Sequence, residues 1–374
     1  MKQKIPTSQP RVSIVTPVFN EEEHLGECIE SVLAQSYQNW DYTIVNNCST
    51  DKSLEIARHY AARDPRIRIH NNTEFLNMAA NVNLAVRQIS PESKYCKVVF
   101  ADDWIFPECL EKMVAVAEEY PTAGIVSSYY LLHDRVDATG LPYQKKLISG
   151  REACRLFLLQ KCFLFGSQNS VLYRADLVRG RDPLFIETDM CADFEACFAL
   201  LRVSDLGFVH QVLSFSRLRA GSTGAIGYDT GANFSSLLGI LFSYGRECLT
   251  EDEFEDCLDV QLSQYYSFLG RRAWVERDRH FWSYHRSAFD HAGIRLSRAR
   301  LAWAAVRELV VSMADPKAMA ERVRRSFKFR ETRSWQTRRT IITPEHREQR
   351  PVSRVQEPAD QCAPTFERKA RGRV

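Results

Sequence analysis

The stretch RVSIVTPVF (residues 11–19) is apolar and β-branched through most of its length, and a helical pattern follows it directly. Between Glu22 and Gln35, apolar residues recur every three or four positions, which predicts an amphipathic helix after a buried strand. DYTIV (41–45) then repeats the strand pattern. A strand–helix–strand order requires a crossover between parallel strands, so these residues are the first indication of an α/β fold.

The same alternation continues to residue 132. Helices are predicted from Asp51 onward, over 76–89 and over 107–120, and strands over 66–70, 95–101 and 124–132. After residue 134 the order is less regular, with a helix over 151–161, a returning strand over 163–173, a helix over 192–202 and a strand over 207–215. We therefore predict an α/β protein with a mostly parallel, doubly wound sheet flanked by helices.

Pattern and charge divide the 374 residues into four predicted parts. They are a flexible N-terminus (1–10), the α/β domain (11–225), a C-terminal helical region (226–320) and a basic, disordered tail (321–374). The tail carries 15 Lys and Arg against 7 Asp and Glu, although the formal net charge of the whole chain is only +3. It has no motif for binding a specific nucleic acid, and its charge predicts only salt-sensitive background binding.

Several classes of protein are excluded by what the sequence lacks. The 11 cysteines include no CxxC pair, which argues against zinc ribbons and disulfide frameworks. No run of 18 apolar residues occurs, and residues 1–10 lack the apolar middle of a signal peptide. Neither a GxGxxG after the first strand nor a GxxxxGK[ST] motif is present. A cytoplasmic enzyme without a dinucleotide site or P-loop is the prediction.

Two adjacent carboxylates end the fourth predicted strand, in KVVFADDW (residues 97–104). Neighbouring carboxylates repel each other, and each costs free energy to bury, so Asp102 and Asp103 are expected where a cation binds or water enters. Polar segments also follow the first strand (16–21) and the second (46–51). Because ligands bind at the carboxyl ends of strands in doubly wound sheets, these three segments predict one site.

In order and spacing, TPVFNEEEHLGECIESVLAQSYQNWDYTIVNNCSTDKS (residues 16–53), followed by ADDW (101–104), resembles the family 2 glycosyltransferases, which have the GT-A fold. The resemblance covers residues 11 to 220. It implies inverting transfer of a sugar from a nucleotide diphosphate sugar, assisted by Mn²⁺ or Mg²⁺. It also implies a nucleotide-binding half (11–134) and an acceptor half (135–225).

The resemblance implies roles for particular residues. Asp103 is implied as the metal ligand, and Trp104 stands where the family often has a third acid. Phe19 occupies the position that packs on the nucleotide base, although a core phenylalanine is the alternative. Asn46 replaces a common Asp, and Asn81 follows Ala80 where the family often has an Arg-Asn pair. The implied nucleotide-binding set is Pro17, Val18, Phe19, Glu21, Asn46, Asn81 and Asp102.

A second carboxylate is required, because inverting transfer needs a general base for the acceptor hydroxyl. Asp193 aligns with the family's base at the start of a helix, and Glu195 is the alternative base. Helix capping alone also explains both acids, because the helix dipole favours negative charge at an N-terminus. Trp104, Ser167 and Arg219 are candidates for the acceptor site or a lid over the diphosphate, and His210 is a weaker candidate.

The helical end has an apolar stripe of Trp303, Val306, Leu309, Val310 and Met313. Packing inside the protein or against a second subunit is one interpretation. The other is peripheral contact with the inner face of a membrane, together with the basic tail, where lipid-linked acceptors are made.

The sequence thus predicts a metal-assisted, inverting glycosyltransferase of polysaccharide biosynthesis that takes a nucleotide-sugar donor and a glycan or lipid-linked saccharide acceptor. Two alternatives stay open. One is a sugar-nucleotide binding protein or inactive glycosyltransferase homologue, which Asn46 and Ala80 suggest. The other is a sugar nucleotidylyltransferase, which would need a Gly-rich, Arg-containing loop where this chain has residues 17–21.

Overall fold

The computed structural model describes residues 9–218, 227 and 229–314. In this part of the chain the strands are β1 (Val12–Val18), β2 (Trp40–Asn46), β3 (Ile67–Asn71), β4 (Tyr95–Val98), β5 (Trp104–Ile105), β6 (Ala123–Leu132), β7 (Arg135–Asp137), β8 (Leu147–Ile148), β9 (Val171–Arg174) and β10 (Asp205–Ser216). The helices are α1 (Leu25–Leu33), α2 (Ser53–Ala61), α3 (Met78–Arg87), α4 (Cys109–Glu119), α5 (Gly150–Leu158), α6 (Ala175–Arg179), α7 (Ala192–Leu201), α8 (Ala232–Cys248), α9 (Glu251–Ala273), α10 (Arg279–His291) and α11 (Arg298–Ala314).

The strands form one sheet in the order β3-β2-β1-β4-β9-β6-β10-β5, with β7 beside β6 and β8 beside β10. Strands β1 to β4 are mutually parallel, and β6 and β10 run in the same direction as these four. The predicted α/β class, with a mostly parallel sheet between helices, is confirmed. The carboxyl ends of these six strands share one edge, which is where the sequence analysis places the site.

Strand β9 interrupts the parallel part of the sheet. It lies between β4 and β6 and is antiparallel to both. The predicted returning strand over 163–173 is confirmed only near its end, because the chain reverses through a 3-10 turn at Gln168–Ser170 before β9 begins.

Both faces of the sheet are buried at β1 and β2, which explains why most residues of these two strands are apolar. Every residue of these two strands is buried. Along β1 the side chains alternate: Ile14 belongs to the core on the side of α1 and α4, and Val15 to the core on the side of α3. Alternation with both faces covered is typical of parallel sheets inside α/β proteins.

A buried polar cluster joins β4 to the antiparallel strand. The Lys97 ammonium group donates hydrogen bonds to the carbonyl oxygens of Asn169 at 2.5 Å and of Val171 at 3.0 Å. Asn169 accepts a bond from the Phe100 amide at 3.1 Å and donates to the Phe215 carbonyl oxygen at 3.2 Å. Asn169 therefore fixes the end of β4 relative to the end of β10, and both lysine and asparagine are fully buried.

The C-terminal helices contribute to two different hydrophobic cores. The inner face of α8 belongs to the same core as α7, since Ile240 and Leu241 lie in one cluster with Phe198. Helices α9 to α11, together with Leu238 of α8, form a separate core around Tyr265 and Phe289. No helix among the described residues is long and apolar enough to cross a bilayer. The predicted flexible N-terminus lies almost wholly outside the described residues, and the basic tail lies wholly outside them.

Replacing Asn169 with Ala should lower the free energy of unfolding by roughly 2–4 kcal/mol, because the Phe100 amide and the Phe215 carbonyl would each lose a buried partner. Urea unfolding followed by fluorescence measures this. Asn39→Ala is the matched control, since Asn39 donates one bond to the Gln9 carbonyl oxygen from an exposed position. Equal costs for the two variants would contradict the assignment.

Candidate active site

The two adjacent acids lie in the turn between β4 and β5. Asp103 is buried and Asp102 is half-buried. The Asp103 amide donates to the Phe100 carbonyl oxygen at 3.0 Å, so a tight turn reverses the chain immediately after the strand. The apolar segment thus ends at the carboxyl edge of the sheet, as the sequence predicts.

Arg217 holds this turn from the end of β10. Its amide donates to Asp103 Oδ1 at 2.8 Å, and its Nε donates to the Asp102 carbonyl oxygen at 3.0 Å. Its Nη2 pairs with Glu27 Oε2 at 2.8 Å. A guanidinium group and a backbone amide therefore offset part of the negative charge that the two neighbouring carboxylates concentrate here.

Trp104 packs beneath this turn. Its ring stacks on Phe215 with 3.7 Å between centroids and 9° between planes, and the guanidinium carbon of Arg217 lies 5.4 Å from the Trp104 centroid. The tryptophan that stands in place of a third acid thus supports the β5–β10 pair and the arginine above it.

The surroundings of Asp103 fit a divalent cation. Burial, reinforced by the charge of Asp102, raises the pKa of Asp103 to about 7, while the Arg217 amide and the Ser216 hydroxyl oppose the shift. A cation bound at Asp103 would stabilise the ionised carboxylate and so lower its pKa again. Across the described residues no group of three His, Cys, Asp or Glu side chains is arranged to hold a metal. A cation held here would take its other ligands from diphosphate oxygens and water, as Mg²⁺ commonly does.

The aromatic residue after β1 is at the surface. Phe19 has 43% of its area exposed, so the alternative of a core phenylalanine is wrong. It follows Pro17 and Val18, which pair with Val45 and Asn46 of β2. The Glu21 amide donates to Ser53 Oγ at 2.8 Å, which ties this loop to the start of α2.

A cluster of asparagines, of which Asn46, Asn47 and Asn81 are buried, joins β2, β3 and α3. Asn46 Nδ2 donates to Asn71 Oδ1 at 3.3 Å, and Asn46 Oδ1 accepts from the Ser49 amide at 3.3 Å. Asn72 Nδ2 donates both to Asn47 Oδ1 at 2.9 Å and to Asn81 Oδ1 at 3.0 Å. Asn81 thus belongs to the same uncharged cluster as the residues after β2.

Asp193 lies in the first turn of α7 and is half-buried. Its Oδ1 accepts a bond from the Phe194 amide at 2.9 Å, and no described cationic side chain pairs with it. Burial raises its pKa to about 7, and the charge of Asp189 contributes to the shift. A carboxylate with such a pKa can accept a proton near neutral pH.

Glu195 has different surroundings. Arg181 Nη2 donates to both carboxylate oxygens, at 2.9 and 2.7 Å, and the Tyr244 hydroxyl donates to Oε1. Glu195 is buried and joins α7 to α8 through Tyr244. Both of its oxygens are occupied by side-chain donors, unlike those of Asp193.

The segment Gly166–Asn169 links the two acidic regions. At one end Ser167 Oγ lies 3.4 Å from Ser216 Oγ, next to Asp103. At the other end Gly166, with φ +126°, has so little space that an added Cβ would lie 1.9 Å from the Phe194 ring, next to Asp193. Asp103 and Asp193 therefore flank one short polar segment that contains Ser167.

The two remaining candidates for a lid over the diphosphate are Arg219 and His210. Arg219 lies outside the described residues. Both ring nitrogens of His210 are occupied, by the Tyr129 hydroxyl at 2.9 Å and the Lys145 carbonyl oxygen at 2.7 Å. Neither Asn169 nor Arg217 receives a role of its own from the sequence. Arg217 is only the first residue of segment 217–223, which follows a predicted strand and is a candidate lid over the diphosphate.

Comparison with known proteins finds similarity in the first half of the chain. Residues 13–179 match the family model described as "Glycosyl transferase family 2". EpsE of Bacillus subtilis (strain 168), itself assigned only provisionally as a glycosyltransferase, is 35% identical over 134 residues, 36% of this chain and 48% of that protein. Glycosyltransferase GlyA of Streptococcus pneumoniae serotype 4 is 30% identical over 124 residues, 33% of this chain and 17% of that protein. The matches thus span less than half of either relative.

The fold has a similar counterpart among solved structures. Residues 1–349 of S. aureus TarS, crystallised in complex with UDP-GlcNAc, superpose with a TM-score of 0.58 and 17% identity. The match covers 80% of this chain and 88% of that one. It reaches well beyond the residues of the family model, so the fold likeness includes the half that carries Asp193.

The raised pKa of Asp193 predicts a pH-dependent stability difference. The folded protein holds a proton on this carboxyl up to about pH 7, whereas the unfolded chain releases it near pH 4, so the free energy of unfolding should fall as pH rises between these values. The stability of Asp193→Asn relative to the parent should therefore increase by roughly 1–3 kcal/mol from pH 4 to pH 8.

Urea unfolding at several pH values measures this difference. The exposed Asp134→Asn is the matched control and should follow the parent at each pH, because water surrounds Asp134 in the folded and unfolded states. A difference between Asp193→Asn and the parent that is constant with pH would show that Asp193 keeps its ordinary pKa.

Proposed function

We propose that this chain, whose residues 13–179 form a family 2 glycosyltransferase domain, transfers a sugar from a nucleotide diphosphate sugar to a glycan or lipid-linked saccharide, with inversion at the anomeric carbon. The main support is the arrangement of Asp103 and Asp193 on either side of Gly166–Asn169, each with a pKa near neutrality. Residues 11–134 would bind the nucleotide and residues 135–225 the acceptor. The helices that follow and the basic tail would make up the rest of the chain.

On the donor side, Asp103, supported by Asp102, would hold Mn²⁺ or Mg²⁺. When bound, the cation supplies positive charge to the diphosphate leaving group. Arg217 keeps the acidic turn in position through its amide and guanidinium group. Ala80 stands where the family often has an arginine near the phosphates, so the cation and the arginines after β10, including Arg219, would carry most of the neutralisation.

The remaining donor contacts follow the edge of the sheet. Phe19 presents an exposed ring for the base, with backbone groups of Pro17 and Val18 and the loop at Glu21 beside it. Asn46 would read the base edge through an amide, which can both donate and accept. Asp102 would contact the ribose.

On the acceptor side, Asp193 would take the proton of the acceptor hydroxyl as its oxygen attacks the anomeric carbon opposite the diphosphate. Its pKa near 7 suits a general base in neutral solution, and the rate should rise as the carboxyl ionises. Ser167 offers a hydroxyl to the acceptor sugar from the segment between the two acids. Glu195 would hold α7 in place through Arg181 and Tyr244.

A cytoplasmic location at the inner face of a membrane is part of the proposal. Helix α11 leaves Trp303 71% exposed, with Val306 and Val310 also exposed on the same helix. Arg300 and Arg307 lie on the same helix, and the basic tail follows. An apolar strip beside cationic side chains suits the interface of a membrane that contains anionic lipids.

Release of nucleoside diphosphate from UDP-, GDP- and dTDP-sugars with Mn²⁺ tests the activity. Asp103→Asn should lose most donor binding together with turnover, because the cation site is weakened. Asp193→Asn should bind the donor as the parent does but turn over at least 100-fold more slowly, because general-base catalysis contributes about 10²–10⁴-fold.

The exposed Asp134→Asn serves as the control and should match the parent in both binding and rate. A parent protein that binds a donor without any turnover, even with saccharide acceptors present, would favour the alternative of a binding protein or inactive homologue. Formation of a sugar nucleotide from a sugar phosphate and a nucleoside triphosphate would favour the nucleotidylyltransferase.

Co-sedimentation with vesicles tests the membrane contact. Trp303→Ala should bind vesicles of phosphatidylglycerol and phosphatidylcholine several-fold less than the parent at low salt, because the exposed indole enters the interface. Tyr143→Ala is the matched control, since Tyr143 is equally exposed on the α/β domain. Equal binding by the parent and Trp303→Ala would contradict membrane contact through α11.

A further inference from the structure

A second exposed phenylalanine lies against Phe19. Phe75, in the loop between β3 and α3, has 55% of its area exposed, and its ring centroid is 4.8 Å from that of Phe19 at an interplanar angle of 63°. The two rings together form an open apolar corner. Two large aromatic side chains that touch and remain exposed mark a surface that a ligand can cover.

The position of Phe75 is fixed by a buried side chain. Asn47 Oδ1 accepts from the Leu76 amide at 2.9 Å, and Asn47 Nδ2 donates to the Leu76 carbonyl oxygen at 2.8 Å. Asn47 is only 2% exposed, and Asn72 Nδ2 bonds to its Oδ1 as well. Because the amide and the carbonyl oxygen of Leu76 are both hydrogen-bonded to Asn47, the adjoining Phe75 has little freedom to move away from Phe19.

The corner lies at the same edge of the sheet as the acids. Phe19 follows β1, whose end pairs with Asn46 of β2, and Asn46 in turn pairs with Asn71 of β3. The acids follow β4, on the other side of β1. Neighbouring strands are about 4.8 Å apart, so β2 and β4 are separated by about 10 Å. A nucleotide lying across β1 can place its diphosphate at the acids and its base at the corner.

We propose that Phe75 is a second aromatic contact for the nucleobase of a nucleoside diphosphate, and that Asn47 positions it by holding Leu76. This rests on the proposed function. The base stacks on one ring of the corner and meets the other ring along its edge. Every base has a π-face, so this contact adds affinity for any base. The side-chain amides of Asn46 and Asn71, which lie beside the two rings, would then distinguish one base from another.

The test compares binding of nucleoside diphosphates with binding of pyrophosphate, which has no base. UDP, GDP, CDP, ADP and dTDP, each with Mn²⁺, are titrated into the full chain by calorimetry, and the tightest is used as the probe. Phe75→Ala should bind this probe roughly 5- to 100-fold more weakly while binding pyrophosphate as the parent does. Phe75→Tyr should restore binding, because it keeps the ring.

Phe163→Ala is the matched control, because Phe163 is also exposed and also makes an edge contact, with the Phe157 ring. It should leave both affinities unchanged. Unchanged probe affinity in Phe75→Ala, or an equal loss for pyrophosphate, would overturn the role of Phe75. If the parent binds neither pyrophosphate nor any nucleoside diphosphate, the proposed function itself fails, which is a separate outcome.

Discussion

The hydrogen bonds from buried Lys97 and Asn169 are the constraint on which the site depends. A lysine without access to water is costly, and burial lowers its pKa, so its ammonium group must find oxygen partners. It finds them in the carbonyls of Asn169 and Val171, which draws the antiparallel strand β9 against β4. Asn169 then bonds to the backbone beyond β4 and to that of β10. The acidic turn and Arg217 meet because these strand ends are fixed.

Asp193 and Glu195, two acids in the first turn of α7, differ in the partners that the fold gives them. Asp193 and Glu195 are two residues apart and have similar chemistry. Glu195 is bound by Arg181 and Tyr244, which satisfies its charge and makes it part of the packing between α7 and α8. Asp193 has only a backbone amide as partner, and burial raises its pKa. The carboxylate with the raised pKa is therefore the one whose charge the fold leaves poorly compensated.

Local patterns in the sequence were sufficient to predict the strands and helices of the first half of the fold. Alternating strands and helices through residue 132 are predicted with nearly correct bounds, because periodicity and burial are local properties of the chain. The insertion of β9 between β4 and β6 was not predictable, since strand order depends on contacts between distant segments. The same limit applies to the site. Asp102 and Asp103 could be picked out from their position after β4. The contacts of Asn169 and the stacking of Trp104 on Phe215 could not, because they depend on β10, which is distant in the sequence.

The bond between Glu195 and Tyr244 bears on how the parts of this chain can change. Both residues lie beyond residue 179, where the match to the family model ends, and the bond joins α7 to α8. Replacing everything after α7 with an unrelated segment would leave the buried Glu195 carboxylate with one partner fewer. The two helices are therefore constrained to change together, and single substitutions should be tolerated more readily than exchange of the whole C-terminal helical segment.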